Sequence, residues 1–336
     1  MSVVSALGLV AQIAHWSLAA IGLATLGFAL ALSRPVSVPP FLASIRDTAV
    51  SVDYSDMPDL QRFQARDGAW LAYRFYPGQQ PSTARIAILA HGSSAMSDAM
   101  HGLARPLAAH GVAAYALDMR GHGRSGGRGD IAYEGQLDDD LADFLDVLQK
   151  DKPALRPMLI GHSSGGGFAL HIAASNLQSR FERAILLAPY LGYDAPSSRP
   201  DAGGWARPDL PRILANMALA KIGVNWFAGL PSLAFATGEN ALNLTSVYSY
   251  RLMRNYATND YRKDLANTSI PIAIFAGGDD ELMESSRYAE AIRGFEGKIP
   301  IRLIPGVNHM AIVSAPAAVE AIAAYAAGDF KMGSSQ

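Results

Sequence analysis

The segment that most restricts the fold is Gly161-His162-Ser163-Ser164-Gly165, set between the apolar run at 157–161 (PMLIG) and the helical pattern at 168–174 (FALHIAA). A serine with a glycine two residues to either side, after a buried strand and before a helix, is a nucleophile elbow. The two glycines let strand and helix approach without a Cβ clash, and the hydroxyl projects from the sheet. The helix N-terminus behind the serine favours developing negative charge. Such a turn asks the rest of the chain for strands that each lead into a helix.

The rest of the chain supplies them. Short apolar runs of the kind buried on both faces of a parallel sheet recur at 85–90, 112–118, 157–161, 184–188, 270–276 and 300–304. Helical patterns at about 97–110, 135–149, 165–176, 284–294 and 315–327 lie between or after them. Strand–helix alternation predicts an α/β fold, a mostly parallel central sheet flanked by helices. Residues 61–66 and 69–75 flank Asp67-Gly68, a hairpin turn signal. The rhythm breaks at 190–268, which has no convincing buried strand, three close prolines (Pro196, Pro200, Pro208) and helical patches near 209–222 and 241–264. This stretch reads as a mainly helical insertion sitting over one edge of the sheet, within a core formed by 59–189 and 269–328.

A serine is a weak nucleophile at its own pKa and needs a base, which in turn needs an orienting acid. Downstream of the elbow the chain has His171, inside the helix that follows Ser163, and His309, in Gly306-Val307-Asn308-His309 after the last strand. His309 is the candidate base. The acid is expected after the 270–276 strand, where Asp279, Asp280 and Glu281 stand; Asp280 is preferred and Asp279 is the alternative. Two preorganised N–H donors are needed for the oxyanion. The backbone of Ser164 follows the nucleophile, and that of Ser93 lies in the loop His91-Gly92-Ser93-Ser94 after the 85–90 strand.

No Lys, Arg, Asp or Glu precedes Arg34. As a helix, residues 7–32 would be roughly 39 Å long at about 1.5 Å per residue, enough to cross a hydrocarbon core of roughly 30 Å. Arg34-Pro35 and Pro39-Pro40 end the run. Residues 1–33 are therefore expected to be a hydrophobic N-terminal helix anchoring the chain in a membrane, with 34–58 as a linker. A cleaved signal peptide and a helix docked on the protein's own surface are the alternatives. Arg34 and Arg46 on the C-terminal flank would keep the main domain cytoplasmic by the positive-inside rule.

Composition closes several routes. With 28 basic and 30 acidic residues, a net charge of −2 and no basic run, nothing points to nucleic acid. The absence of cysteine excludes thiolate metal sites and cysteine nucleophiles. No histidine pair has metal-ligand spacing with a carboxylate on one helix face. Gly121-His122-Gly123-Arg124-Ser125-Gly126 fits G-x-G-x-x-G, but Gly127, Arg128, Gly129 and Asp130 follow, so no helix N-terminus is available for a pyrophosphate. No metal, cofactor or obligate protein partner is implied.

HGSS (91–94), DMRGHGRSGG (118–127), GHSSGG (161–166), AGGDDEL (276–282) and GVNH (306–309) occur in this order. Together they resemble the α/β-hydrolase-fold serine hydrolases of the monoacylglycerol lipase and lysophospholipase-like branch, over residues 60–328. The resemblance implies that the acid stands three residues after the glycine of a G-x-x-D turn, so that Gly277 selects Asp280. It also implies that 190–268 is the cap. The chain departs from monoacylglycerol lipases where Ser93-Ser94-Ala95-Met96 replaces their Gly-Glu-His. Trp205, Trp226 and Phe227 are the candidate substrate-binding residues of the cap.

The expectation is a membrane-associated hydrolase of lipid-like or hydrophobic carboxylic esters. It would act through Ser163, His309 and Asp280 and an acyl-enzyme. A peptidase of the proline-iminopeptidase type is the alternative, with Asp194, Asp201 and Asp209 available for a free amino terminus. A non-catalytic binding protein on this fold is the third reading, disfavoured by the intact Ser, His and Asp set.

Overall fold

The computed structural model describes residues 3–49, 51–79, 85–150, 154–238 and 243–329. Residues 1–2 of the expected N-terminal helix, 50 of the linker, 80–84 and 151–153 of the core and 239–242 of the insertion lie outside the described residues. The chain starts with α1 (Val3–Ser33), whose span from Gln12 to Ser33 has no buried residue. A short α2 (Ala43–Ala49) follows. Strands β1 (Leu60–Gln64) and β2 (Trp70–Tyr76) then pair antiparallel around Asp67-Gly68, as the turn signal predicts. Gly68 takes a φ of 83°, a conformation that favours glycine.

Strand–helix alternation builds the core through β3 (Ile86–Ala90), α3 (His101–Ala109), β4 (Ala113–Leu117), α4 (Gln136–Gln149), β5 (Met158–His162), α5 (Ser164–Ala174) and β6 (Ala184–Leu187). The segment inserted after β6 contains β7 (Ala206–Pro208), α6 (Leu210–Lys221), β8 (Pro231–Phe235), β9 (Val247–Ser249), α7 (Tyr250–Asn255) and α8 (Tyr261–Asn267). The sheet resumes with β10 (Ile272–Gly277), α9 (Tyr288–Ala291), β11 (Ile301–Ile304) and α10 (Pro316–Ala327).

Among the described residues the main sheet has eight strands in the order β1-β2-β4-β3-β5-β6-β10-β11. Every neighbouring pair from β4 to β11 is parallel; only β1–β2 and β2–β4 are antiparallel. This is the α/β-hydrolase fold. Strands β5 and β10 are buried at every position, which is why they read as continuous apolar runs rather than as alternating ones. One face packs Phe144, Phe168 and Leu170, the other Leu103, Leu107 and Ile322, all fully buried. Each such side chain contributes about 1.5–3 kcal/mol by leaving water.

The inserted segment differs from its sequence reading. It holds a three-stranded antiparallel sheet, β7-β8-β9, beside its helices. These strands are only three to five residues long; one contains Pro208 and another begins at Pro231, so no periodic signal accumulates. Near its start, α6 packs against α1. Arg34 approaches Asp209 at 3.5 Å, and the Arg212 guanidinium donates to the Arg34 carbonyl.

Candidate active site

Ser163 sits at the junction of β5 and α5 with φ 55° and ψ −117°, a left-handed conformation that serine rarely adopts. The surroundings hold it there. Its N–H donates to Leu187 at 2.9 Å, and its carbonyl accepts from Gly166, Gly167 and Tyr190. The glycines of the elbow are sterically required: a Cβ at Gly161 would run into the Gly165 backbone, and one at Gly165 into the carbonyls of Ala90 and His91. The β3 loop approaches so closely that a Cβ on Gly92 would lie 3.3 Å from the Ser163 Cβ.

His309 follows β11 and is held from three sides. Its Nδ1 lies 2.9 Å from Asp280 Oδ2, its backbone N–H donates to Glu281 Oε2 at 3.0 Å, and its carbonyl accepts from His162 Nε2 at 3.1 Å. Asp280 is 3% exposed and follows β10, whereas its neighbour Asp279 faces solvent. Burial by itself would raise the Asp280 carboxyl. The charge and hydrogen bond of His309, with the N–H groups of Met283 and Leu282, outweigh that and hold it below the usual carboxylate range. His162 is driven down to about 3, first by burial and then by the His309 charge, so the ring is neutral and donates through Nε2. Of the three adjacent acids, one meets the imidazole, one holds the histidine backbone and one points outward.

Ser93 follows β3 and Ser164 opens α5. Ser93 N–H bonds to no other described residue and so has its donor available. The loop around it is pinned. His91 Nδ1–H donates to the Gly92 carbonyl at 2.7 Å while His91 Nε2 accepts from Met119 N–H at 3.2 Å. That pattern fixes a neutral ring, and burial lowers it to about 4.

Ser163, His309 and Ser93 line a cavity of about 610 Å³. Trp205 lines it too and donates from Nε1 to Ser93 Oγ at 2.9 Å. Trp226 and Phe227 do not line it. They follow α6, with Trp226 87% exposed and Phe227 also exposed, because the loop carrying them turns outward. A whole wall comes from the stretch read as a linker: Phe41, Leu42, Ile45, Thr48, Val52 and Tyr54. This stretch is fastened at both ends. Leu42 N–H donates to the Ala236 carbonyl of the inserted segment, and Asn308 beside His309 donates to Thr48 Oγ1 at 3.1 Å. Sequence reasoning missed it because a wall of this kind leaves no motif; apolar Phe41, Leu42 and Ile45 after Pro39-Pro40 were the available signal. Asp194, Asp201 and Asp209 lie off the cavity: Asp194 pairs with Arg262 at 2.7 Å, and Asp209 caps α6.

The family described as serine aminopeptidase, S33, matches residues 81–314. Human monoglyceride lipase is 26% identical over 252 residues, covering 73% of this chain and 80% of that protein. A soluble variant of monoglyceride lipase from Saccharomyces cerevisiae, solved with a substrate analog, superposes with a TM-score of 0.57 at 16% identity, over 84% of this chain and 97% of its own. A bacterial membrane phospholipase A has a TM-score of 0.54 at 18% identity, covering 96% of this chain and 97% of its own.

Proposed function

From the premise that this chain belongs to the serine aminopeptidase S33 family, as a serine hydrolase of the monoacylglycerol lipase branch, we propose that it cleaves lipid-like carboxylic esters at a membrane surface. The observation that carries this is the cavity: Ser163 and His309 open into a space whose wall of Phe41, Leu42 and Ile45 is joined by the short stretch 34–40 to an apolar, unburied helix. An apolar cavity of about 610 Å³ suits an acyl chain. Its polar lining of Thr48, Tyr54, Asp98 and Ser314 suits the hydroxyls of an alcohol leaving group.

In the proposed mechanism Ser163 Oγ attacks the ester carbonyl as His309 Nε2 takes its proton. The Ser93 and Ser164 N–H groups receive the oxyanion, and Asp280 stabilises the imidazolium. Collapse expels the alcohol, protonated by His309, and leaves an acyl-Ser163. Water, deprotonated by His309, then releases the acid and restores Ser163. We take residues 59–189 and 269–328 as the catalytic core, 190–268 as a cap, 34–58 as a linker and 1–33 as the anchor. Support for a membrane comes from Trp16, Leu18 and Leu23 on α1, and from Leu210, Leu214, Ile222 and Trp226 on or after the adjoining α6, all exposed. The human relative's monoglyceride substrate class and the membrane phospholipase likeness agree with this reading.

The test is turnover of monoacylglycerols, lysophospholipids and p-nitrophenyl esters of increasing chain length, beside aminoacyl amides, by wild type and Ser163→Ala. Ester hydrolysis by wild type, lowered at least about 10⁴-fold in the variant, is expected. Equal turnover by the variant would sink the mechanism. Preference for amides over every ester would move the reading to the aminopeptidase side of the family.

A further inference from the structure

We propose that Tyr248, from the inserted segment, is a positioning residue for oxyanion stabilisation, acting through Ser94 to set the direction of the Ser93 N–H. The inference rests on the proposed Ser163 chemistry and goes beyond it, since it makes the inserted segment part of the catalytic machinery.

Ser94 has a φ of 71°, a left-handed conformation for a residue with a side chain. Such a conformation costs on the order of 1 kcal/mol or more and persists only where surroundings over-determine it. Three hydrogen bonds do so, all from residues 245–248. Ser94 N–H donates to Tyr248 Oη at 2.7 Å, Ser94 Oγ donates to the Thr245 carbonyl at 2.7 Å, and the Ser94 carbonyl accepts from Thr245 N–H at 2.8 Å.

The direction of each bond follows from the next. His122 Nδ1 faces only carbonyls, those of Met119 at 3.3 Å and Arg120 at 3.2 Å, so it carries the proton. His122 Nε2 is then an acceptor and takes the Tyr248 O–H at 2.5 Å. With its proton committed, the Tyr248 oxygen is free to accept from Ser94. Ser94 N–H, Tyr248 and His122 therefore form a one-way chain in a buried site, where Tyr248 is 2% exposed and His122 fully buried. Burial above all, with the His91 ring 4.8 Å away opposing a second positive charge, holds His122 well below its ordinary pKa, so the acceptor stays available.

Two peptide planes flank Ser93. The Gly92–Ser93 plane contains the oxyanion donor and is pinned by the His91 ring at the Gly92 carbonyl. The Ser93–Ser94 plane is pinned by Tyr248. With both planes held, the two torsions at Ser93 have no freedom left, and the donor is fixed before substrate arrives. Preorganisation of this kind acts on the transition state, not on ground-state binding.

The test uses the full chain in detergent micelles, with Tyr248→Phe and His122→Leu. Active sites are counted by a fluorophosphonate that labels Ser163. The expected result is a kcat per labelled site lower by roughly 10–100-fold, with KM for a short-chain p-nitrophenyl ester within about threefold. Affinity for a trifluoromethyl ketone, which forms the tetrahedral oxyanion, should weaken by the same factor. If Tyr248→Phe gives no labelled sites, His122→Leu decides, since it leaves the phenol in place and removes only its acceptor. A kcat per site within threefold of wild type, or a loss carried by KM, overturns the proposal. A wild type without ester turnover, or a Ser163→Ala variant as active as wild type, instead defeats the underlying reading.

Discussion

Asp280 divides its two oxygens: Oδ2 lies 2.9 Å from His309 Nδ1, while Oδ1 accepts the N–H groups of Leu282 at 2.9 Å and Met283 at 2.7 Å. An asparagine there must keep its carbonyl oxygen on the two backbone donors. Its NH₂ then faces His309 and forces the proton to Nε2, the wrong tautomer for a base toward Ser163. Asp280→Asn should lower kcat by about 10⁴-fold with little loss of fold. Asp279→Asn should stay within about twofold of wild type. Steady-state kinetics of the pair decide which carboxylate works with His309.

The elbow leaves no room for a methyl group. Gly165→Ala would press a Cβ onto the carbonyls of Ala90 and His91, and Gly161→Ala onto the Gly165 backbone. Neither neighbour is a flexible side chain. Each substitution should cost about 3 kcal/mol or more and abolish fluorophosphonate labelling. Gly127→Ala, with open space around it, serves as the control in denaturant melts.

Two truncations separate the apolar helix from the cavity wall. Removing residues 1–33 should shift the protein from the membrane to the soluble fraction and preserve its order of preference among chain lengths. Removing 1–58 also takes away Phe41, Leu42 and Ile45. It should raise KM for long-chain esters about tenfold, equivalent to about 1.4 kcal/mol of lost apolar contact, and leave acetyl esters nearly unchanged. Unchanged fractionation of the shorter deletion would favour a helix that is not a membrane anchor.

Away from the site, His110 at the end of α3 lies 2.6 Å from Glu320 and 3.3 Å from Asp329. The hydrogen bond to Glu320, opposed by partial burial and aided by Asp329, raises its pKa. A raised histidine stabilises fully below its unfolded value of about 6.5, and the contribution fades as pH rises through the folded value. The melting temperature of wild type over His110→Gln should therefore be higher by about 1–3 °C near pH 5.5, and the gap should close near pH 8.5. A gap independent of pH would mean that packing, not charge, holds the imidazole.

Much of this arrangement is legible in the amino-acid sequence. The buried strands β3, β5, β6 and β10 are continuous apolar runs, and the elbow glycines announce a close approach that the chain does make. His309 stands out because the chain has only two histidines after the elbow, whereas Asp280 could be separated from Asp279 only through the resemblance, by its spacing from Gly277. What escaped notice depends on contacts between distant segments. Thr48 meets Asn308 across 260 positions, and Ser94 meets Tyr248 across 154. Periodicity reports what one element buries, not which partner it finds. Trp226 failed as a lining residue for the same reason: an aromatic in a loop has the same composition whether the loop turns in or out.

The stretch from Ser33 to Phe41 has a mechanical consequence. Eight peptide units can extend at most about 29 Å, and here the stretch is tied down further by Arg34 to Asp209 and by Arg207 to Ser37. The end of α1 and the mouth above Ser163 are thus on a short leash. Seated in a bilayer, α1 would hold the serine at a set height, within reach of molecules still lodged in the leaflet. The reach of the site would then be measured in ångströms from the lipid headgroups, whatever the concentration of free substrate in the surrounding water.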